Sequence, residues 1–175
     1  MKKTLLATAL LALAAQSAYA QDSWTGGYGG IALGYHDVTA KIAGVKGSAH
    51  DTGLGVFGGY QQDLGQYVVG GEISYDTAKK HGVKINALKI NARVGYDAGQ
   101  FLPYVTAGFA RVEYKEPGYK LKDNGYSIGI GLDYAVNQQF VIGGEISRTN
   151  TRFNTDAGKL KTHIDTFKIR GAYRF

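Results

Sequence analysis

Over the last ten residues of the chain, Phe167, Ile169, Gly171, Tyr173 and Phe175 alternate with Thr166, Lys168, Arg170, Ala172 and Arg174. A period of two sends one set to each face of a β-strand, so one face is apolar and aromatic and the other polar. Ending a strand on an aromatic suits a closed sheet. Its last strand must pair with its first and present its apolar edge to lipid.

The opposite end points the same way. Met1, Lys2 and Lys3 form a short positive region, and Thr4 to Ala15 is a run mostly of Leu and Ala. Ala18-Tyr19-Ala20 then gives a small-x-small cleavage pattern. Residues 1–20 are therefore expected to be a signal peptide cut before Gln21, which leaves a domain over 21–175. That run is too short to span a bilayer as a helix, which takes about 20 residues. Loss of Lys2 and Lys3 lowers the formal charge of +6 to +4.

Composition narrows the class further. The chain has 26 Gly, 13 Tyr, 2 Pro and no Cys, so no disulfide can staple it. After residue 20 no apolar run is long enough for a transmembrane helix. The charges are dispersed and form no basic recognition helix, so nucleic acid is not an expected partner.

Alternation recurs in eight segments, at Thr25–Val38, Thr52–Gln61, Gln66–Thr77, Ile85–Asp97, Leu102–Tyr114, Gly125–Val136, Gln139–Thr149 and His163–Phe175. Gln61–Gln66, Asp97–Phe101 and Val136–Gln139 read as tight turns. Val38–Thr52, Thr77–Ile85, Tyr114–Gly125 and Thr149–His163 read as longer loops without apolar pattern. Short turns at one end and long loops at the other predict an all-β, eight-stranded antiparallel up-and-down transmembrane barrel.

One face of each segment is apolar, as in Ile31/Leu33/Tyr35, Leu54/Val56 and Ile128/Ile130/Leu132. Trp24, Tyr60, Tyr67, Tyr96, Tyr134 and Phe140 gather at strand ends near the turns and are expected in an interfacial girdle. The other face is mostly Gly, Ala and Ser. A soluble barrel would cover that face with charges; small residues instead suit a narrow lumen.

That lumen should hold Glu72, Lys89, Arg93, Asp133, Glu145, Lys168 and Arg170. Counting from the turns suggests that Glu72 pairs with Lys89, and Glu145 with Lys168 or Arg170. Buried carboxylates need such cations. The expected role is a structural salt-bridge network; an ion path is the alternative. The Gln66–Ser74 segment recurs at Gln139–Ser147 with seven of nine residues identical, so the barrel reads as two related halves.

Other sites are weaker. His36, His50, His81 and His163 fall on the loop side without metal-ligand spacing, and no cofactor is expected. Lys41, Lys46, Lys79, Lys80, Lys84, Lys115, Lys120, Lys122, Lys159, Lys161, Arg148 and Arg152 lie in or beside the loops. They can meet lipopolysaccharide phosphates or simply be solvated. No Gly-x-Ser-x-Gly occurs, and no Ser-His-acid set follows from spacing, so no enzyme is expected.

Trp24-Thr-Gly-Gly-Tyr-Gly-Gly30, Gly129-Ile-Gly-Leu-Asp-Tyr-Ala135 and Tyr173-Arg-Phe175 resemble the first strand, the sixth strand and the C-terminal assembly signal of a known group. These are the small eight-stranded outer-membrane barrels of the OmpA/OmpX type, with the opacity-like, surface-antigen porin family nearest. Two features depart from the pattern. Arg148 stands where members often carry an aromatic, and no peptidoglycan-binding domain is expected after Phe175.

The resemblance implies a monomer in the Gram-negative outer membrane, among outer-membrane lipid and lipopolysaccharide. It also implies recognition of Phe167, Ile169, Tyr173 and Phe175 by the barrel-assembly machinery. The expected function is structural and surface-interacting, with an external host or surface ligand for the loops. A narrow porin-like diffusion channel is the alternative.

Overall fold

A computed structural model describes residues 24–42, 45–80, 83–116, 119–155 and 158–175, with side chains described outside 38–50, 79–83, 116–121 and 152–162. The signal-peptide reading falls outside these residues. The chain forms eight antiparallel strands: β1 (Gly26–Ile42), β2 (Val45–Asp63), β3 (Tyr67–Lys80), β4 (Val83–Tyr96), β5 (Phe101–Glu116), β6 (Tyr119–Ala135), β7 (Phe140–Thr155) and β8 (Gly158–Arg174). They close in sequence order into a barrel. The seam pairs β1 with β8, from Tyr28 opposite Arg174 to Lys41 opposite Lys161.

Each turn end is tied by the same device. Gly65 N donates to Asp63 Oδ1 at 2.8 Å, and Gly99 N donates to Asp97 Oδ1 at 2.8 Å. Both glycines adopt positive φ, +98° and +73°, which an L side chain disfavours. In the third turn Asn137 Oδ1 accepts from the backbone N–H groups of Gln139 and Phe140. A short side-chain acceptor thus closes every turn locally.

The far ends differ from expectation. The four segments read as long loops are largely paired strand. The β1–β2 ladder continues to Ile42 opposite Val45, and the others to Lys80 opposite Val83, Glu116 opposite Tyr119 and Thr155 opposite Gly158. Beyond the lipid a hairpin needs no apolar face, so alternation fades while backbone N–H and C=O groups still demand partners.

The outward face carries the large apolar side chains. Ile31, Leu33, Ile73, Ile90, Ile130 and Ile169 are all exposed, and Phe109 is 79 % exposed. In water such a continuous surface would be an aggregation site; here it is the lipid face. On β3 the outward run from Tyr67 to Tyr75 spans eight residue steps. At about 3.3 Å per step and a tilt of about 40° it rises about 20 Å, and the ring tips extend it towards the apolar band of a membrane barrel.

Candidate functional site

The lumen is filled in layers. At the turn end lies an apolar plug of Trp24, Val68, Leu102 and Val141. Trp24 is only 2 % exposed, and its Nε1 donates to Gly99 O at 3.1 Å. Its carbonyl accepts from Gln61 Nε2 at 2.9 Å, and the Arg174 guanidinium lies 5.0 Å from its ring centre. Placing Trp24 in the lipid-facing girdle is therefore wrong: it closes the periplasmic mouth from within. Its parity already said so, because even-numbered positions in this part of the chain, such as Tyr28 and Ala32, are the buried ones.

Above the plug, two guanidinium groups cross the barrel. Arg170 donates to Glu72 through Nη2 at 2.6 Å and Nη1 at 3.2 Å, and to Glu145 Oε2 through Nη1 at 2.8 Å. Arg93 Nη2 reaches Asp133 Oδ2 at 2.5 Å, with Nη1 3.8 Å from Glu72. Tyr28 Oη donates to Glu72 at 3.0 Å and Tyr104 Oη to Glu145 at 3.2 Å. The guanidinium planes also meet aromatic faces. Arg93 Cζ is 3.6 Å from the Tyr104 ring centre, and Arg170 Cζ is 4.0 Å from that of Phe57. Glycine makes room for one of these rings: a Cβ at Gly131 would overlap Tyr104.

The next layer outward holds Asp76, Lys89 and Lys168. Lys168 Nζ donates to Asp76 Oδ2 at 2.8 Å, and Lys89 Nζ lies 3.7 Å from the same oxygen. All seven charges expected in the lumen are buried there, joined by Asp76. Four cations, Lys89, Arg93, Lys168 and Arg170, thus face four carboxylates, Glu72, Asp76, Asp133 and Glu145.

The pairing differs in part from that expected. Glu72 stands opposite Asn91, whereas Lys89 stands opposite Ser74 and turns to Asp76. Of the two cations expected beside Glu145, Arg170 pairs with it, whereas its register neighbour Lys168 crosses to Asp76. The narrow lumen thus allows cations both to pair along the wall, as Lys89 and Arg170 do, and to cross it, as Lys168 does. Asp76, Tyr28 and Tyr104 were missed, although alternation alone places each on the inner face.

The girdle residues Tyr60, Tyr67, Tyr96 and Phe140 are exposed on the outer wall near the turns, and Tyr134 is partly so. Rings meet in pairs, Tyr67 with Tyr96 at 6.1 Å and Phe101 with Tyr134 at 5.0 Å. Phe167, Ile169, Tyr173 and Phe175 line the outward face of β8 and its end. Tyr173 packs edge-on against Phe140 and Phe175, and Phe175 N donates to Gly27 O at 2.9 Å.

Above the lipid band the outer wall becomes polar. Of the twelve cations read as loop residues, Lys84, Lys115, Lys122 and Arg148 have described side chains, and all face outward from strands. Arg148 forks onto Asp165 at 2.6 and 2.8 Å. Glu113 takes both Lys115 and Lys122, the latter at 3.0 Å; its hydrogen bond raises the Lys115 ammonium. His36 and His163 are not brought together: His36 bonds Thr166 in the lumen and His163 bonds Asn150 on the outer wall. The side chains of His50 and His81 lie outside the described residues.

Residues 5–175 match the family model of the outer membrane protein beta-barrel domain. The chain is similar to the 25 kDa outer-membrane immunogenic protein of Brucella melitensis, 31 % identical over 175 residues, with 89 % of this chain and 81 % of that protein covered. Its counterpart in Brucella abortus is 32 % identical over 168 residues, covering 86 % and 78 %. Among solved structures, Neisserial surface protein A superposes with a TM-score of 0.59 at 15 % identity, covering 85 % of this chain and 97 % of that one. The attachment invasion locus protein Ail of Yersinia pestis gives 0.51 at 16 % identity, covering 85 % and 99 %. A closed eight-stranded barrel with a lipid-facing wall, matched over nearly its whole length, belongs to the outer membrane protein β-barrel family and resides in the cell outer membrane.

Proposed function

We propose that this barrel is a non-enzymatic structural and surface-interaction protein whose lumen is closed to ions. The observation that carries this reading is the pair of layers beneath the outer mouth. The Arg93–Arg170 layer fills the cross-section with charge-assisted hydrogen bonds, and the Trp24 plug lies below it. Eight strands enclose room for side chains and little else. An ion would have to separate buried guanidinium–carboxylate pairs and then cross an apolar seal, both costly steps.

The outer wall supplies the interacting surface. Above the band β4–β6 present Lys84, Arg111, Lys115 and Lys122 outward, and Glu113 is the one carboxylate among the described outward residues there. A surplus of fixed cations at headgroup height favours lipopolysaccharide phosphates. The name of the Brucella relatives, outer-membrane immunogenic protein, supports exposure of the hairpin tips to external partners. The aromatic end of β8 supports recognition by the barrel-assembly machinery, and the barrel acts as a monomer.

Mature protein incorporated into planar bilayers tests closure. We expect no stable conductance. Long-lived channels whose selectivity changes in Glu72→Gln would overturn this reading and favour a narrow diffusion channel.

A further inference from the structure

We propose that the outer wall of β5–β8 holds one lipopolysaccharide molecule by the phosphorylated sugar end of its lipid A, recognising the sugar as well as its charge. This rests on the lipopolysaccharide reading above and narrows it to a site. Arg111 on β5, Asn124 on β6 and Asn150 on β7 each lie ten residues from the aromatic at the turn end of their strand, Phe101, Tyr134 and Phe140. At about 3.3 Å per step and a tilt of about 40° that is about 25 Å, the height of the apolar band. All three therefore stand where acyl chains end and headgroups begin.

Register brings the groups together. Arg111 stands opposite Asn124, and Tyr126, the next outward residue below Asn124, stands opposite Asn150. Such pairs have their Cβ atoms about 5 Å apart. Arg111 and Asn124 are exposed, and Tyr126 is 53 % exposed. Glu113 takes Lys115 and Lys122, and Asp165 takes Arg148, whereas Arg111 forms no ion pair among the described residues. Its guanidinium is thus open to a phosphate, which it can hold through two N–H groups.

Charge alone does not explain the rest of the patch. The Tyr126 ring offers a flat apolar face to the C–H side of a sugar ring. The Asn124 and Asn150 amides can both donate and accept, which suits sugar hydroxyls and N-acyl groups. His163 Nδ1 bonds Asn150 Oδ1 at 2.5 Å, which fixes that amide and leaves its nitrogen free to donate. From Tyr126 through Asn150 to His163 is two interstrand steps. That is about 10 Å, the length of a disaccharide. A glycerophospholipid brings the phosphate but no ring to lay on Tyr126.

The test uses the refolded mature barrel in detergent micelles, with the heat-modifiable gel shift reporting folding and native mass spectrometry counting retained lipid. Bisphosphorylated lipid A should be retained at one molecule per barrel and outcompete phosphatidylglycerol roughly tenfold. Tyr126→Ala and Asn150→Ala should each remove most of that preference and leave phosphatidylglycerol retention unchanged. Tyr126→Phe, which keeps the ring, should bind as wild type, and so should Tyr75→Ala at the same height on β3. Arg111→Met should weaken retention of both lipids. Equal retention of the two lipids by wild type would overturn the sugar site and leave the charge reading standing. So would a lipid A preference that survives both Tyr126→Ala and Asn150→Ala. Retention of neither lipid would overturn both.

Discussion

Arg170 and Glu72 meet as a two-point ion pair in the centre of the barrel, although they stand 98 residues apart on β8 and β3. They are not neighbours on any ladder. The contact exists because an eight-stranded lumen is narrow enough for one guanidinium to reach the far wall. It ties opposite sides of the sheet together in a way backbone pairing cannot.

Trp24 is the single tryptophan of the chain, so its environment can be read directly. Lying inside the barrel, it should emit at short wavelength and be poorly quenched by brominated lipids at any depth. Strong quenching by bromines near the headgroups would return it to the girdle. Trp24→Ala should cost about 3–5 kcal/mol in urea unfolding from lipid vesicles, as large apolar truncations do.

The turns offer a backbone test. Gly99→Ala places a side chain at φ +73° and should destabilise by about 1–2 kcal/mol. Asp97→Ala removes the acceptor of the Gly99 N–H and should act in the same direction. Unfolding midpoints unchanged in both variants would show that this turn does not fix the hairpin.

Phe175 separates assembly from stability. Its ring lies exposed on the outer wall against Tyr173. Phe175→Ser should therefore lower the yield of folded barrel in cells while the purified variant refolds in detergent. Wild-type surface yield in cells would count against an assembly role.

Much of this was legible in the sequence, because a strand with lipid on one side and a narrow lumen on the other must alternate along its whole membrane span. Tyr67 to Tyr75 on β3 shows it plainly, with Glu72, Ser74 and Asp76 on the inner face. The same rule placed Trp24 and Asp76 inside, but Trp24 looked like a girdle residue by type and Asp76 sat too near an expected loop. Strand ends were cut short where lipid stops. There Lys79 and Lys84 are backbone partners without any apolar signal in the sequence. Partner choice among the lumen charges was legible only for Glu145, where Arg170 was one of two expected partners. Lys168 prefers Asp76 on β3 to its ladder neighbour Glu145, and only the closed barrel brings β3 within reach of β8.

The most direct test of the charged lumen is a double-mutant cycle on Glu72 and Arg170 in lipid vesicles, read by urea unfolding. Glu72→Ala alone strands a buried guanidinium and should cost about 3–5 kcal/mol. With Arg170→Met added, the total loss should fall short of the sum of the single losses by about 0.5–3 kcal/mol. Losses that simply add would mean that the two side chains do not meet, and the cross-lumen layer described here would be wrong.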